Sequence, residues 1–190
     1  MSDGGNSYIV LDLRRRKIFI RGEINFGTSA SFAVELDKLS SENKLCSIDI
    51  SSPGGSLVSS LDSYNKIRNA TFPVTTMTFG SVVSGGLLIF LGGDKRLISK
   101  QALVKFHWPI EGRGHDEEIN PDSTKTDANY FDKIFLHLGS IISERTGLPI
   151  EKVLDYMRYS KTFTGEEAVK MGIATGLLND KNFNKKEKGK

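Results

Sequence analysis

The stretch Thr75–Phe90, "TTMTFGSVVSGGLLIF", decides how this chain is read. Its first five residues are β-branched, aromatic or apolar, which suits a strand. Ser84, Gly85 and Gly86 then strip the chain down to small side chains, and Leu87 to Phe90 resume an apolar run of helical character. A strand turning directly into an apolar helix is half of a βαβ unit. Outward from it the same arrangement recurs. "DISSPGGSL", Asp49–Leu57, follows the strand-like "LCSIDI" and opens a helix with Leu57, Leu61, Tyr64 and Ile67 on one face. Upstream, "KIFIRG" reads as a strand closed by Gly22. "TSASFAVELDKLS" reads as a helix, with Thr28 or Ser29 as its cap and Phe32, Leu36 and Leu39 on its buried face. Downstream, "KRLIS" and "ALVKFHW" predict two more strands. Strands alternating with helices imply right-handed crossovers and a mostly parallel sheet, so the fold class is α/β.

The second half carries a different signal. "EGRGHDEEINPDSTKTD", Glu111–Asp127, is polar and turn-rich, which predicts a loop. A long helix follows, with Phe131, Ile134, Phe135, Leu138, Ile141 and Ile142 along one stripe. That stripe packs either on the chain's own core or on another subunit, and the pattern favours neither. A further helix starts near Pro149. In "TGEE", Thr164 and Glu167 form a capping box, Gly172 ends the helix, and "IATGLL" predicts a closing strand.

Length and charge bound the rest. The 190 residues, 38% hydrophobic and 26% charged, suit one globular domain. We divide them into a short N-terminal segment 1–16, a domain 17–180 and a basic, disordered tail 181–190. The net charge of +3 comes from Arg14–Lys17 and from the lysines of the tail, both read as solvated ends. The remainder is net negative, against a nucleic-acid partner. No apolar run is long enough to cross a bilayer, and no secretory signal opens the chain. The single cysteine, Cys46, excludes an internal disulfide and points to a reducing, cytoplasmic setting. We expect no cofactor and no metal.

A serine hydroxyl becomes a nucleophile only with a base in reach and with donors for the oxyanion it creates. Ser84 stands at a strand-to-helix turn, where Gly85 offers an unobstructed N–H. The bland alternative is a close helix–sheet contact. Three histidines are available as base. His137 lies within the long helix and His115 in the polar loop. His107 ends a strand, at the sheet edge where parallel α/β folds bind ligands. Gly55, in the turn "SPGG", can supply a second N–H, and the same four residues also suit a plain turn.

Taken in order, "SIDISSPGGSLVSSLDSYNKI", "FGSVVSGGLLIFLGGDKRLISKQALVKFHWP" and "TFTGEEAVKMGIATGLL" resemble the proteolytic subunit of the Clp protease, from about Ile18 to Leu178. The resemblance implies a crotonase-like head of repeated βαβ units with a protruding helical handle, at about 110–157. It implies a serine endopeptidase acting on unfolded polypeptides. Ser84 falls on the nucleophile, His107 on the general base, and Gly55 and Gly85 on the oxyanion hole. It further implies a homo-oligomer of two stacked seven-membered rings around a chamber, and an AAA+ unfoldase as partner.

Three departures accompany the resemblance. The position of the triad acid, eight residues before Ala168, holds Ser160, so Ser160 or the upstream Asp155 would have to orient His107. Only about seventeen residues precede the first expected strand, which counts against the unfoldase contact. The loop between Ile110 and Thr126 is a few residues longer than usual. A catalytically weak paralogue serving as a ring subunit is therefore the alternative. A crotonase-type acyl-CoA enzyme would not need Ser84 and His107, and a signal-peptide-peptidase relative would need an anchor and a lysine base.

Overall fold

A computed structural model describes residues 7–107 and 121–178, with 121–129 described as helical backbone alone. The chain opens on a hairpin, β1 (Tyr8–Asp12) antiparallel to β2 (Lys17–Arg21), followed by α1 (Phe26–Asp37) and β3 (Cys46–Ser51). Then come α2 (Leu57–Arg68), β4 (Val74–Thr78), β5 (Ser81–Val83), α3 (Gly85–Leu91), β6 (Lys95–Ile98) and β7 (Leu103–Lys105). The long helix α4 (Pro121–Thr146), α5 (Ile150–Arg158), β8 (Thr162–Thr164), α6 (Gly165–Lys170) and β9 (Gly176–Leu177) complete it.

Six strands form one sheet in the order β1-β2-β3-β4-β6-β9, parallel except at the β1 edge. Three short strands, β5-β7-β8, form a second sheet beside it. Alternation builds the core: Ile18 and Ile20 of β2 and Ile48 and Ile50 of β3 point inward, against Phe32 and Leu36 of α1 and Tyr64 and Ile67 of α2. All seven residues of α3 are buried, which its lack of any polar side chain permits.

Several expectations need correction. The first strand is β1, not β2. "YIVLD" alternates like a strand, and the basic turn after it, with Arg16 at φ 48°, masks the hairpin. Nor is Arg14–Lys17 simply a solvated cluster. The Arg16 guanidinium donates to the carbonyls of Leu39, Glu42, Lys44 and Leu45. Lys17 and Arg21 each pair with the buried Asp49 at 2.9 Å, so that carboxylate has the charged partners burial demands. The N-cap of α1 is Asn25; Thr28 is its reciprocal partner in a capping box. The Thr164–Glu167 capping box is present as read. The long helix begins at Pro121, inside the stretch expected as a loop. On its stripe, Phe135, Leu138 and Ile142 are buried against this chain's own head, and Phe131, Ile134 and Ile141 are half-buried. Trp108 to Asn120, His115 among them, and the tail 181–190 lie outside the described residues.

Candidate active site

Two glycine turns meet where β3 and β5 run into helices. Main-chain bonds join them: Ser52 N–H donates to Ser81 O at 3.0 Å, and Val83 N–H to Ser52 O at 3.1 Å. Gly54 (φ 99°) then backs directly onto Ser84. A Cβ added to it would sit 2.8 Å from the Ser84 Cβ and 3.1 Å from the Gly85 nitrogen. Gly55 (φ 144°) is wedged against the Ile24 carbonyl, where no side chain fits. Behind Gly85 stands Ser60, whose hydroxyl is anchored on Ser56 O at 2.8 Å.

Between these turns Ser84 takes φ 50° and ψ −119°, a backbone conformation that a residue with a Cβ rarely adopts. Strain of this kind costs about 1–3 kcal/mol and persists only where surroundings enforce it. Here the Ser84 N–H donates to Lys105 O at 3.1 Å, and its hydroxyl makes no cap hydrogen bond with α3. A strained strand-to-helix turn that presents a free hydroxyl is the geometry of a nucleophile elbow. The Gly55 and Gly85 N–H groups donate to no described partner. They are close neighbours, because a Cβ on Gly85 would lie 3.7 Å from the Gly55 nitrogen.

One cavity of about 640 Å³ is lined by Ser84, Gly85, Gly55 and His107 together. Its apolar wall comes from α4 and α5, through Phe131, Ile134, Leu138, Ile142 and Met157. His107 is half-buried, two residues past the end of β7. The antiparallel pairing of β7 with β8 matches Lys105 to Thr162. Phe106 N–H continues it by donating to Lys161 O at 2.9 Å, and Ser160, the residue before Lys161, turns away to donate its N–H to Met157 O at 3.2 Å. Ser160 itself holds φ 48°. Asp155 lies on the exposed face of α5, opposite the buried Val153 and Met157, and His137 is exposed on α4.

Sequence reasoning missed two charged residues of the cavity, Glu23 and Lys105. It also missed the arginines that finish α3. Arg145 donates to Leu91 O at 2.9 Å and to Gly93 O at 2.7 Å, and Arg68 to Gly92 O at 3.2 Å. Buried Arg96 spans Gly93 O, Arg145 O, Gly172 O and Ile173 O, and its burial beside Arg145 pulls its pKa down to about 10. No local spacing announces these contacts, which, apart from Arg96 to Gly93, join residues 24 to 77 positions apart in the chain.

Known proteins resemble this chain over most of its length. A family profile described as Clp protease matches residues 5–181. The ATP-dependent Clp protease proteolytic subunit 1 of Rhodopirellula baltica is 29% identical over 171 residues, covering 87% of this chain and 73% of that protein. A ClpP1 mutant from Listeria monocytogenes superposes with a TM-score of 0.78 at 22% identity, covering 89% of this chain and 94% of that one.

Proposed function

The chain belongs to the Clp protease family, and from that premise we propose that it hydrolyses peptide bonds with Ser84 as nucleophile and His107 as general base. A Clp-type proteolytic subunit is a serine peptidase. The observation that carries the assignment of residues is the shared cavity: a strained Ser84 with a free hydroxyl, His107, and two unspent N–H groups all face the same space.

In the first half-reaction His107 takes the Ser84 proton as Oγ bonds to the peptide carbonyl carbon. The Gly55 and Gly85 N–H groups stabilise the resulting oxyanion. As the C–N bond breaks, the imidazolium returns its proton to the leaving amine, which leaves an acyl-enzyme. Water repeats the sequence and frees the acid. At the position where the family pattern has its triad carboxylate this chain has Ser160, whose hydroxyl carries no charge to balance the imidazolium. Losing that charge costs about 10⁴ in turnover in a well-characterised triad. Slow turnover follows. A ring subunit that contributes little catalysis is the second reading, and Ser160 is the observation favouring it.

Family membership carries peptide substrates and ring assembly. The finer reading is stacked rings of seven, with unfolded chains entering an inner chamber. The unfoldase partner and a cytoplasmic setting belong with it; no described helix is long and apolar enough to cross a membrane.

The test is covalent. A fluorophosphonate should label wild type at Ser84, and Ser84→Ala should abolish labelling and turnover together while leaving the fold intact. Turnover that survives Ser84→Ala removes Ser84 from the mechanism. Ser160→Asp, which restores a carboxylate where the family pattern has one, should raise turnover about tenfold or more. An unchanged rate would mean that another group already orients His107.

A further inference from the structure

Along the chain from Leu103 to His107 burial alternates, with Val104 and Phe106 buried and Lys105 and His107 turned to the other side. Lys105 therefore shares a face with His107, and both line the cavity that holds Ser84. The backbone of Lys105 accepts the Ser84 N–H, which fixes this position directly beside the nucleophile. Its side chain is half-buried and makes no ion pair with a described residue. Among the described residues, the other formal charge of the lining is Glu23, exposed, on the Gly55 side, where a Cβ on Gly55 would meet the Glu23 side chain at 2.9 Å. The wall contributed by α4 is largely apolar.

A cation partly removed from water and lacking a counter-charge is poorly compensated, and it gains most from an anion brought to it. We propose that Lys105 is a specificity-determining residue that reads a carboxylate on the bound peptide. The carboxylate is either an Asp or Glu side chain or the free C-terminus of a short peptide. The cavity is thus charge-polar across the scissile bond: it takes an acidic group on the His107 side and tolerates a basic one beside Glu23. This rests on the reading of Ser84 as nucleophile.

The experiment measures protection of Ser84 from fluorophosphonate labelling by matched decapeptides, a readout that does not need fast turnover. One peptide series exchanges Asp for Asn at each position in turn; the other exchanges a free C-terminal carboxylate for an amide. Wild type should be protected about tenfold better by the acidic member of a pair at one position. The series in which that difference falls identifies the source of the carboxylate. Lys105→Met and the milder Lys105→Gln should bring the ratio to near one, and Lys105→Glu should invert it. Equal protection by acidic and neutral peptides in labelled wild type overturns the role of Lys105 alone, as does a ratio untouched by Lys105→Gln. Absence of Ser84 labelling in wild type overturns the underlying site, and this proposal with it.

Discussion

Helices α3 and α4 border the same cavity and are built in opposite ways. Every residue of α3 is buried, and the carbonyls of Leu91, Gly92 and Gly93 at and just past its end are taken by Arg68, Arg96 and Arg145. Its first residue follows Ser84, which Gly54 presses from behind. The longer α4 buries Phe135, Leu138 and Ile142, yet leaves Tyr130 and Leu136 about half in solvent, at 51% and 50%. The floor of the site is therefore fixed by this chain alone, whereas its roof is fixed on one side only. A nucleophile tolerates little displacement, since small misplacements of reacting atoms cost large factors in rate. A wall that must admit many side chains gains from compliance, and an apolar face left open suits a second copy.

The comparison breaks most visibly at Gly54. Gly54→Ala must adopt φ 99° with its methyl against Ser84, at a cost of about 2–4 kcal/mol. We expect a lower melting temperature, together with loss of fluorophosphonate labelling in protein that still folds at low temperature. Unchanged labelling would mean that α3 does not depend on its neighbouring turn. On α4 two adjacent positions should part company. Phe135→Ala removes a side chain only 5% exposed and should cost about 3 kcal/mol in denaturant unfolding. Leu136→Glu should cost under about 0.5 kcal/mol in the isolated fold, and should shift sedimentation towards smaller species. Assemblies indifferent to Leu136→Glu would place the contact between copies elsewhere.

The smallest effect lies outside both helices. The N–H and hydroxyl of Thr164 both donate to Glu167, the N–H being the larger influence, and they hold its carboxyl below the usual carboxylate range. A carboxyl lowered by folding stabilises above its ordinary range, and that contribution is lost as pH falls through the lowered value. Glu167→Gln should therefore lower the melting temperature slightly near neutral pH and not at all in strong acid. A difference that persists in acid would assign the effect to shape rather than to charge.

The βαβ frame was legible because period-two runs such as "KIFIR" and helical stripes such as Leu57–Leu61–Tyr64 differ in periodicity over enough residues to count. β5 and β8 were not, being three residues each and defined by their partners. Ser84, His107, Gly55 and Gly85 could be nominated from residue type and position, and they line one cavity. The strain at Ser84 could not be foreseen, because nothing in "VVSGG" demands φ 50°, and the turn packed against it comes from a distant part of the chain. Lys105 passed unnoticed because it sits among Val104 and Phe106 in what reads as an ordinary strand, and only the alternation of burial reveals which way it faces.

The pairing of β7 with β8 has a consequence for the order in which the protein becomes able to react. Ser84 and His107 are made early, but the strand that fixes the end of β7 is Thr162–Thr164. At about 5–20 residues per second, a ribosome spends several seconds between the two. Throughout that interval the emerging chain holds its serine and its histidine without the strand that pairs with β7. The strand that completes the three-stranded sheet beside the site is thus added only when nearly all of the described domain has been made.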